Sequence, residues 1–441
     1  MNDFSHCKMK SKKIIPFAIF IGFAGLVLFL TFNKHSKSGY FNYHSEIWSD
    51  KTGYYVYLPS AFIFSFDPKK FPECIDKKTG DGFRLDYQQN KIRTKYTYGV
   101  AFLQMPFFLI AHVLSKPLNY ERSGFSPIYH WAINVAAVFY LILGIFFLFK
   151  FLSNYFNNRI VYYLIASIFL GTNLYYYAID ETGMSHIYSF FLFSVFLYLT
   201  KEIIQTKESK VLLIVLLSFV ASLICVVRPI DILFLFSFFF IDLKSLNELS
   251  KRYKILFNKK TFPFVVLTAC IVFFPQLLYW KYLSGNWIFY SYVNESFVNW
   301  LNPKFLEVWF APQLNGLFLY NPLYLIVVFG ILLMVRSRTL NGIFIFFLFF
   351  ILSYVIASWW DPGFGCSYGN RNFVEYSAIF TLPLGYFYQR IDKLQKFKKV
   401  LILLFIVGLV WYNLKIIYSY DGCFFGNYKW DWHSFFNLVT S

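Results

Sequence analysis

Residues 127–149 read PIYHWAINVAAVFYLILGIFFLF, a run without a single Asp, Glu, Lys or Arg. A helix of about 20 such residues crosses roughly 30 Å of hydrocarbon. Similar runs recur along the whole 441-residue chain. In lipid only helices and closed barrels satisfy their own backbone, and these runs are too long and continuous for barrel strands. The sequence therefore predicts an all-α polytopic membrane protein.

The composition supports this class. The chain is 58% hydrophobic and only 15% charged, whereas soluble domains are about one quarter charged. In a soluble protein the net charge of +18 would suggest nucleic acid, but here Lys and Arg flank the apolar runs, where they set orientation. We therefore expect membrane lipid around the chain and no nucleic-acid partner.

Eleven runs are predicted to be transmembrane helices, with the N-terminus in the cytoplasm. They cover 14–32, 127–149, 160–179, 186–200, 211–227, 229–243, 263–281, 317–335, 340–358, 373–389 and 400–418. The inner segments then carry 22 Lys and Arg residues, against 6 outside when the long first loop is set aside. Long loops translocate with little regard to charge, so this bias supports the orientation.

The chain is predicted to be one integral-membrane domain, 1–441, with three parts on the outer face. These are a first loop, a second loop and a C-terminal tail, at 33–126, 282–316 and 419–441. In the first loop, KYTYGVAFLQMPFFLIAH (95–112) is apolar but short for a span, and counting it as one would invert every later loop. This stretch and residues 54–66 are therefore predicted to be helices on the outer surface.

Acidic residues at two ends of apolar runs are candidates for catalysis. Asp50 precedes the first surface helix and could accept a proton, although an Asp at a helix start is also a common N-cap. Asp180 and Glu181 follow the third span, and His186 opens the fourth. These three could bind a divalent metal or supply a second acid, or they could form only a solvated turn between spans.

Basic residues near the same face are candidates for binding phosphate. Arg228 interrupts an apolar hairpin, where it could hold a phosphate or pair with Asp231. Arg371 ends the glycine-rich stretch WWDPGFGCSYGNR (359–371), where it could clamp a phosphate or pair with Glu375. Lys95 is a further candidate of the same kind. Cys74, Cys366 and Cys423 would face outward, and the sequence leaves open whether any two of them form a disulfide.

At these motifs the chain resembles the GT-C superfamily of integral-membrane glycosyltransferases, in particular the branch of protein mannosyltransferases and aminoarabinose transferases. Asp50 followed by GYYVYLPSAF, the stretch KYTYGVAFLQMPFFLIAH, and a late SYG-x-R ending at Arg371 carry the resemblance. It implies transfer of a sugar from a polyprenyl-phosphate donor to a lipid, glycan or protein acceptor. Asp50 would be the general base, and Arg371, helped by Arg228, would hold the phosphate.

The sequence departs from the superfamily pattern after Asp50, and other functions stay open. Lys51 stands where the superfamily commonly has a second acid after the first, so divalent-metal dependence is open and Asp180 or Glu181 could supply that acid. Four tyrosines are expected to line the substrate site, namely Tyr54, Tyr55, Tyr96 and Tyr368. The expected location is the bacterial inner membrane, with a periplasmic site. A transporter or flippase for a lipid-linked glycan, or a lipid-linked oligosaccharide polymerase or ligase, are the alternatives.

Overall fold

The structure is a computed structural model that describes residues 4–206, 211–293, 295–424 and 426–441, with side chains from Phe20 onward. It is mostly helical (66%). The helices are α1 Phe4–His35, α2 Asp50–Tyr55, α3 Tyr57–Phe62, α4 Ile75–Lys78, α5 Gly99–Ser115, α6 Pro127–Leu152, α7 Asn158–Gly171, α8 Leu174–Ile179, α9 Ser185–Gln205, α10 Val211–Val227, α11 Ser237–Phe240, α12 Glu248–Leu256, α13 Phe262–Ser284, α14 Phe305–Phe310, α15 Leu317–Tyr320, α16 Leu323–Arg336, α17 Leu340–Ala357, α18 Ser377–Asp392, α19 Lys396–Ser419 and α20 Trp432–Thr440. Short 3-10 helices cover Pro68–Lys70, Pro229–Phe236 and Arg371–Phe373, and strands β1 Arg84–Asp86 and β2 Lys91–Arg93 pair antiparallel.

Five helices are long and apolar enough to cross a membrane, judged by length and composition. They are α6, α9, α13, α17 and α19, and each coincides with a predicted span. The prediction of an integral membrane protein is therefore confirmed. The other six predicted spans fall on helices that are shorter or only partly described, so the count of eleven stays a prediction.

Three of those predicted spans are interrupted, and one of them, 317–335, divides into α15 and α16 around Asn321 and Pro322. The run 160–179 divides into α7 and α8 at Thr172, whose backbone is extended. The Asn413 side chain donates to the Leu170 and Thr172 carbonyls, at 2.9 and 3.2 Å, and so satisfies the backbone that the break exposes. The run 229–243 is a 3-10 helix as far as Phe236 and only then α-helical.

The first loop, 33–126, has more structure than the sequence indicated. Instead of one helix over 54–66 there are two short ones, α2 and α3, and α4 and the β-hairpin were not predicted. The loop has its own apolar core, which packs against the end of α13 at Tyr279 and Leu283. The Thr94 amide donates to the Tyr279 hydroxyl at 2.8 Å, which fixes the segment that leads into α5.

The apolar stretch 95–112 forms α5, which packs beside α6, α9 and α10. The Tyr140 hydroxyl donates to the Leu103 carbonyl at 2.8 Å, while His112 lies 2.7 Å from the Tyr129 hydroxyl. Since Leu103 precedes His112 whereas Tyr140 follows Tyr129, α5 runs antiparallel to the first part of α6. Its position flat on the outer surface stays a prediction.

The second loop and the tail are mostly irregular within the described residues. The second loop holds only the six-residue α14 before Gly316, and the tail ends in α20. The tail is joined to the glycine-rich loop by a disulfide between Cys366 and Cys423, whereas Cys74 is an exposed free thiol. Two segments distant in sequence are thus joined covalently, five residues before Arg371.

Candidate active site

Asp50 is the first residue of α2, and its carboxylate points away from the helix backbone. One carboxylate oxygen accepts a hydrogen bond from the Tyr96 hydroxyl, and the other accepts from the Arg371 guanidinium at 3.0 Å. The start of α2 has no side-chain cap. The N-cap interpretation of Asp50 is therefore wrong, and the predicted convergence of this acid with Arg371 is seen in the geometry.

Glycines allow this close approach. A Cβ on Gly53, one turn along α2, would lie 2.3 Å from the Tyr96 ring. A Cβ on Gly82 would lie 1.7 Å from the Ser49 carbonyl oxygen, directly before Asp50. Only glycine leaves room for these contacts, which hold Asp50 and Tyr96 together.

Arg371 begins a 3-10 helix after the glycine-rich loop. The Asp361 carboxylate accepts from the Gly363 and Gly365 amides, and the Asn315 side chain donates to both glycine carbonyls at 2.9 Å. These contacts fold the loop so that the Arg371 side chain, 17% exposed, meets Asp50. The expected alternative, a pair with Glu375, is not formed.

Arg228 instead is the partner of Glu375. Its guanidinium donates to the Glu375 carboxylate and to the Asn372 side-chain oxygen. His186 Nδ1 lies 2.9 Å from both Arg228 and Glu375. Glu375 is fully buried. The alternative pairing of Arg228 with Asp231 is also not formed, because both Asp231 carboxylate oxygens lack a hydrogen-bond partner among the described residues.

Tyr54 lies between the two arginines. Its ring centroid is 4.3 Å from that of Tyr96, and burial raises its pKa although Arg228 and Arg371 are near enough to lower it. The pKa of Asp50 shifts in the opposite direction to that of Tyr54. Burial alone would raise its pKa, but Arg371, the Tyr96 hydrogen bond and Lys95 outweigh burial and hold the pKa below its ordinary value. Asp50 is therefore an ionised carboxylate at neutral pH.

Lys95 lies at the edge of this group. Its ammonium is 2.5 Å from the Glu295 carboxylate and 5.5 Å from the ring centroids of both Tyr96 and Tyr292. The Ser291 hydroxyl donates to the Lys95 carbonyl at 2.6 Å. The second loop, 282–316, therefore contacts the site, which the sequence did not indicate, because long-range contacts between two loops leave no periodic signal.

The acids after the third span have other partners. Asp180 pairs with Lys34 at 2.6 Å, and Glu181 pairs with Lys51 at 3.0 Å. Burial raises the pKa of Asp180 in spite of its lysine partner. The structure thus places both acids in ion pairs of their own, and neither contacts Asp50. Glu181 is linked to the site only through its partner Lys51, which directly follows Asp50.

The residues present do not fit a divalent metal at Asp50. Both of its oxygens are occupied by hydrogen-bond donors, and Lys51 stands where a second acid would be. Asp180, Glu181 and His186 are held by different partners. Across the described part of the chain, no group of three or more His, Cys, Asp or Glu residues is placed to hold a metal ion.

Two of the four expected site tyrosines lie elsewhere. Tyr55 donates to the Gly124 carbonyl at 2.5 Å, within the core of the first loop. Tyr368 is fully buried and donates to the Tyr320 carbonyl at 3.1 Å. Tyr54 and Tyr96 do face Asp50. In α2, consecutive residues point about 100° apart, so only one of the Tyr54–Tyr55 pair can face the site.

No family model matches the chain, and no curated protein matches it. Among solved structures, it is similar to the crystal structure of an Archaeoglobus fulgidus oligosaccharyltransferase in the apo form. The identity is 13% and the TM-score 0.52, over 92% of this chain and 56% of that one. The AglB oligosaccharyltransferase of the same organism, in complex with an inhibitory peptide and a dolichol-phosphate, matches with 13% identity, a TM-score of 0.49 and the same coverage.

The chain thus spans little more than half the length of that oligosaccharyltransferase. The shared feature is the fold, so the predicted resemblance is confirmed as a fold shared with that oligosaccharyltransferase. The finer resemblance to the mannosyltransferase and aminoarabinose transferase branch stays a prediction.

Proposed function

We propose that the chain is a membrane glycosyltransferase that transfers a sugar from a polyprenyl-phosphate donor to an acceptor on the outer face of a bacterial inner membrane. The observation that carries the proposal is the contact of Asp50 with Arg371, beside Arg228, within a GT-C type of fold. A carboxylate and two guanidiniums supply what such a displacement needs, namely a base for the nucleophile and fixed positive charge for the leaving phosphate.

In the proposed reaction the acceptor oxygen forms a bond to the anomeric carbon and gives its proton to Asp50. The bond between that carbon and the phosphate oxygen breaks, and its electron pair leaves with the phosphate. Arg371 and Arg228 stabilise the negative charge that develops there. A lipid phosphate is a good leaving group, so the step needs no strong general acid.

The two arginines have different roles in this proposal. Arg228 is held by Glu375 and Asn372, with only 11% of its side chain exposed, so it is a fixed anchor for the phosphate. Arg371 contacts Asp50 through a single ion pair at the more exposed edge. A donor phosphate can therefore take Arg371 from Asp50, which leaves the carboxylate with a higher proton affinity as the acceptor arrives.

The decisive experiment measures release of polyprenyl phosphate from a radiolabelled polyprenyl-phosphate sugar by purified protein, with crude envelope as acceptor. Loss of a general base lowers the rate by about 100- to 10,000-fold, so we expect this loss in Asp50→Asn at normal expression. Asp81→Asn, an exposed outer-loop residue, is the matched control and should retain activity. Full activity of Asp50→Asn would refute the assignment of the base.

The likeness to an oligosaccharyltransferase favours one alternative, a donor that carries an oligosaccharide rather than a single sugar. The same assay decides between them when run with both donor types. Release only from the oligosaccharide donor, still dependent on Asp50, would assign a lipid-linked oligosaccharide transferase with the same residues.

A further inference from the structure

Residues 420–423, which we name the tail brace, connect the two sides of the site. They begin the C-terminal tail directly after α19. Cys423 forms the disulfide with Cys366, which stands five residues before Arg371. This bond ties the end of the chain to the glycine-rich loop that supplies the proposed phosphate ligand.

A second contact strengthens that attachment. The Tyr420 hydroxyl donates to the Ser367 carbonyl at 2.6 Å, and its ring centroid lies 5.4 Å from that of Tyr368. Tyr420 is only 4% exposed. Together with the disulfide, this contact fixes three consecutive residues of the loop, Cys366 to Tyr368, to the tail brace.

The other side of the tail brace contacts the segment before Asp50. The Asp421 carboxylate accepts from the Tyr43 hydroxyl at 2.9 Å and lies 3.1 Å from His44 Nε2. The Tyr43 carbonyl in turn accepts from Lys51 Nζ at 3.3 Å. A chain of contacts thus runs from the tail brace to the residue next to the proposed base.

The disulfide is the strongest link in this series of contacts. The Asp421 side chain is 65% exposed, and exposed ion pairs contribute little on their own. The disulfide, in contrast, cannot exchange with water. Without it, the tail brace would keep Tyr420 as its contact with the loop, and its restraint on the spacing between the loop and the 43–51 segment would weaken.

We propose that the tail brace sets the spacing between Arg371 and Asp50, with Cys366 and Cys423 as positioning residues for donor phosphate binding. The kinetic part of this inference rests on the proposed function, and the structural part does not. The proposal makes the C-terminal tail part of the structure that positions the active site, although no tail residue is proposed to contact substrate.

The kinetic test compares wild type with Cys366→Ser/Cys423→Ser. We expect the donor KM to rise about tenfold with little change in kcat, since a misplacement of ~1 Å costs up to about 100-fold. Mild reduction of wild type should reproduce the effect and reoxidation should reverse it. Cys74→Ser, which removes an exposed free thiol, is the control and should match wild type. An unchanged donor KM in the double variant would overturn the proposal.

A second measurement separates this proposal from the proposed function. Hydrogen exchange of purified protein should show faster exchange in the double variant at both 43–51 and 359–371, with α6 and α9 unchanged. Faster exchange at only one segment, or at neither, would refute the tail brace. If wild type releases no polyprenyl phosphate, while 43–51 and 359–371 both lose protection in the double variant, the proposed function fails and the tail brace stands.

Discussion

Replacement of Arg371 by lysine tests whether its forked guanidinium, rather than its charge alone, binds the donor phosphate. Lysine keeps the positive charge but presents a point charge in place of two parallel donors. The structure gives Arg371 one carboxylate partner, Asp50, so its other N–H groups are available to a phosphate. The variant therefore loses about one charge-assisted hydrogen bond to the donor.

Such a bond contributes about 1.5–3 kcal/mol. At about 1.4 kcal/mol per factor of ten, the donor KM should rise by about 10- to 150-fold, and the acceptor KM should change little. Initial rates of polyprenyl phosphate release across a range of donor concentrations provide the measurement.

Arg84→Lys is the matched control, because Arg84 is an exposed arginine of the first outer loop. It should leave the donor KM unchanged. If Arg371→Lys binds the donor as wild type does, the guanidinium does not clamp the phosphate and the residue serves only to pair with Asp50.

Two further predictions concern the base and its packing. In Arg371→Gln, the largest influence that lowers the pKa of Asp50 is removed, so this pKa should rise and the acidic limb of the kcat/KM–pH profile should move to higher pH. An unmoved limb would show that Asp50 does not titrate in the rate. Gly53→Ala places a methyl group against the Tyr96 ring and should destabilise the protein by about 1–3 kcal/mol in thermal unfolding, whereas Gly408→Ala, with open space around it, should not. Equal melting temperatures for these two variants would contradict the close packing at Gly53.

The apolar runs predict the membrane class because length and composition alone decide whether a helix can cross a bilayer. The same criterion misses the breaks inside runs. Thr172 ends α7 within an apolar stretch, and the break is stable because Asn413, more than 200 residues away, satisfies the free carbonyls. Local sequence carries no record of such a partner, so the run 160–179 was predicted as one helix.

The candidate site, like the fold, could be predicted from the sequence only in part. Asp50 and Arg371 were singled out through the resemblance, and Arg228 was singled out because it interrupts an apolar hairpin, where ionisable residues are costly. Their ion-pair partners could not be predicted, because sequence spacing favoured pairs between residues that are close in the sequence. Glu375 stands one turn after Arg371 but contacts Arg228, since the 3-10 turn at Arg371–Phe373 directs the two side chains apart.

This exchange of partners explains how one site keeps two guanidiniums close together, because a carboxylate beside each arginine offsets their mutual repulsion. Each arginine has its own carboxylate, Asp50 for Arg371 and Glu375 for Arg228. The Glu375 side chain is fully buried, whereas the Asp50 side chain is 28% exposed, so the Arg228–Glu375 pair costs more to separate than the Arg371–Asp50 pair. In the proposed mechanism the entering donor phosphate, a phosphodiester monoanion, therefore displaces the carboxylate of Asp50 and not that of Glu375. The acid released in this way is the one that lies beside Tyr54 and Tyr96, where the proposed mechanism requires a base.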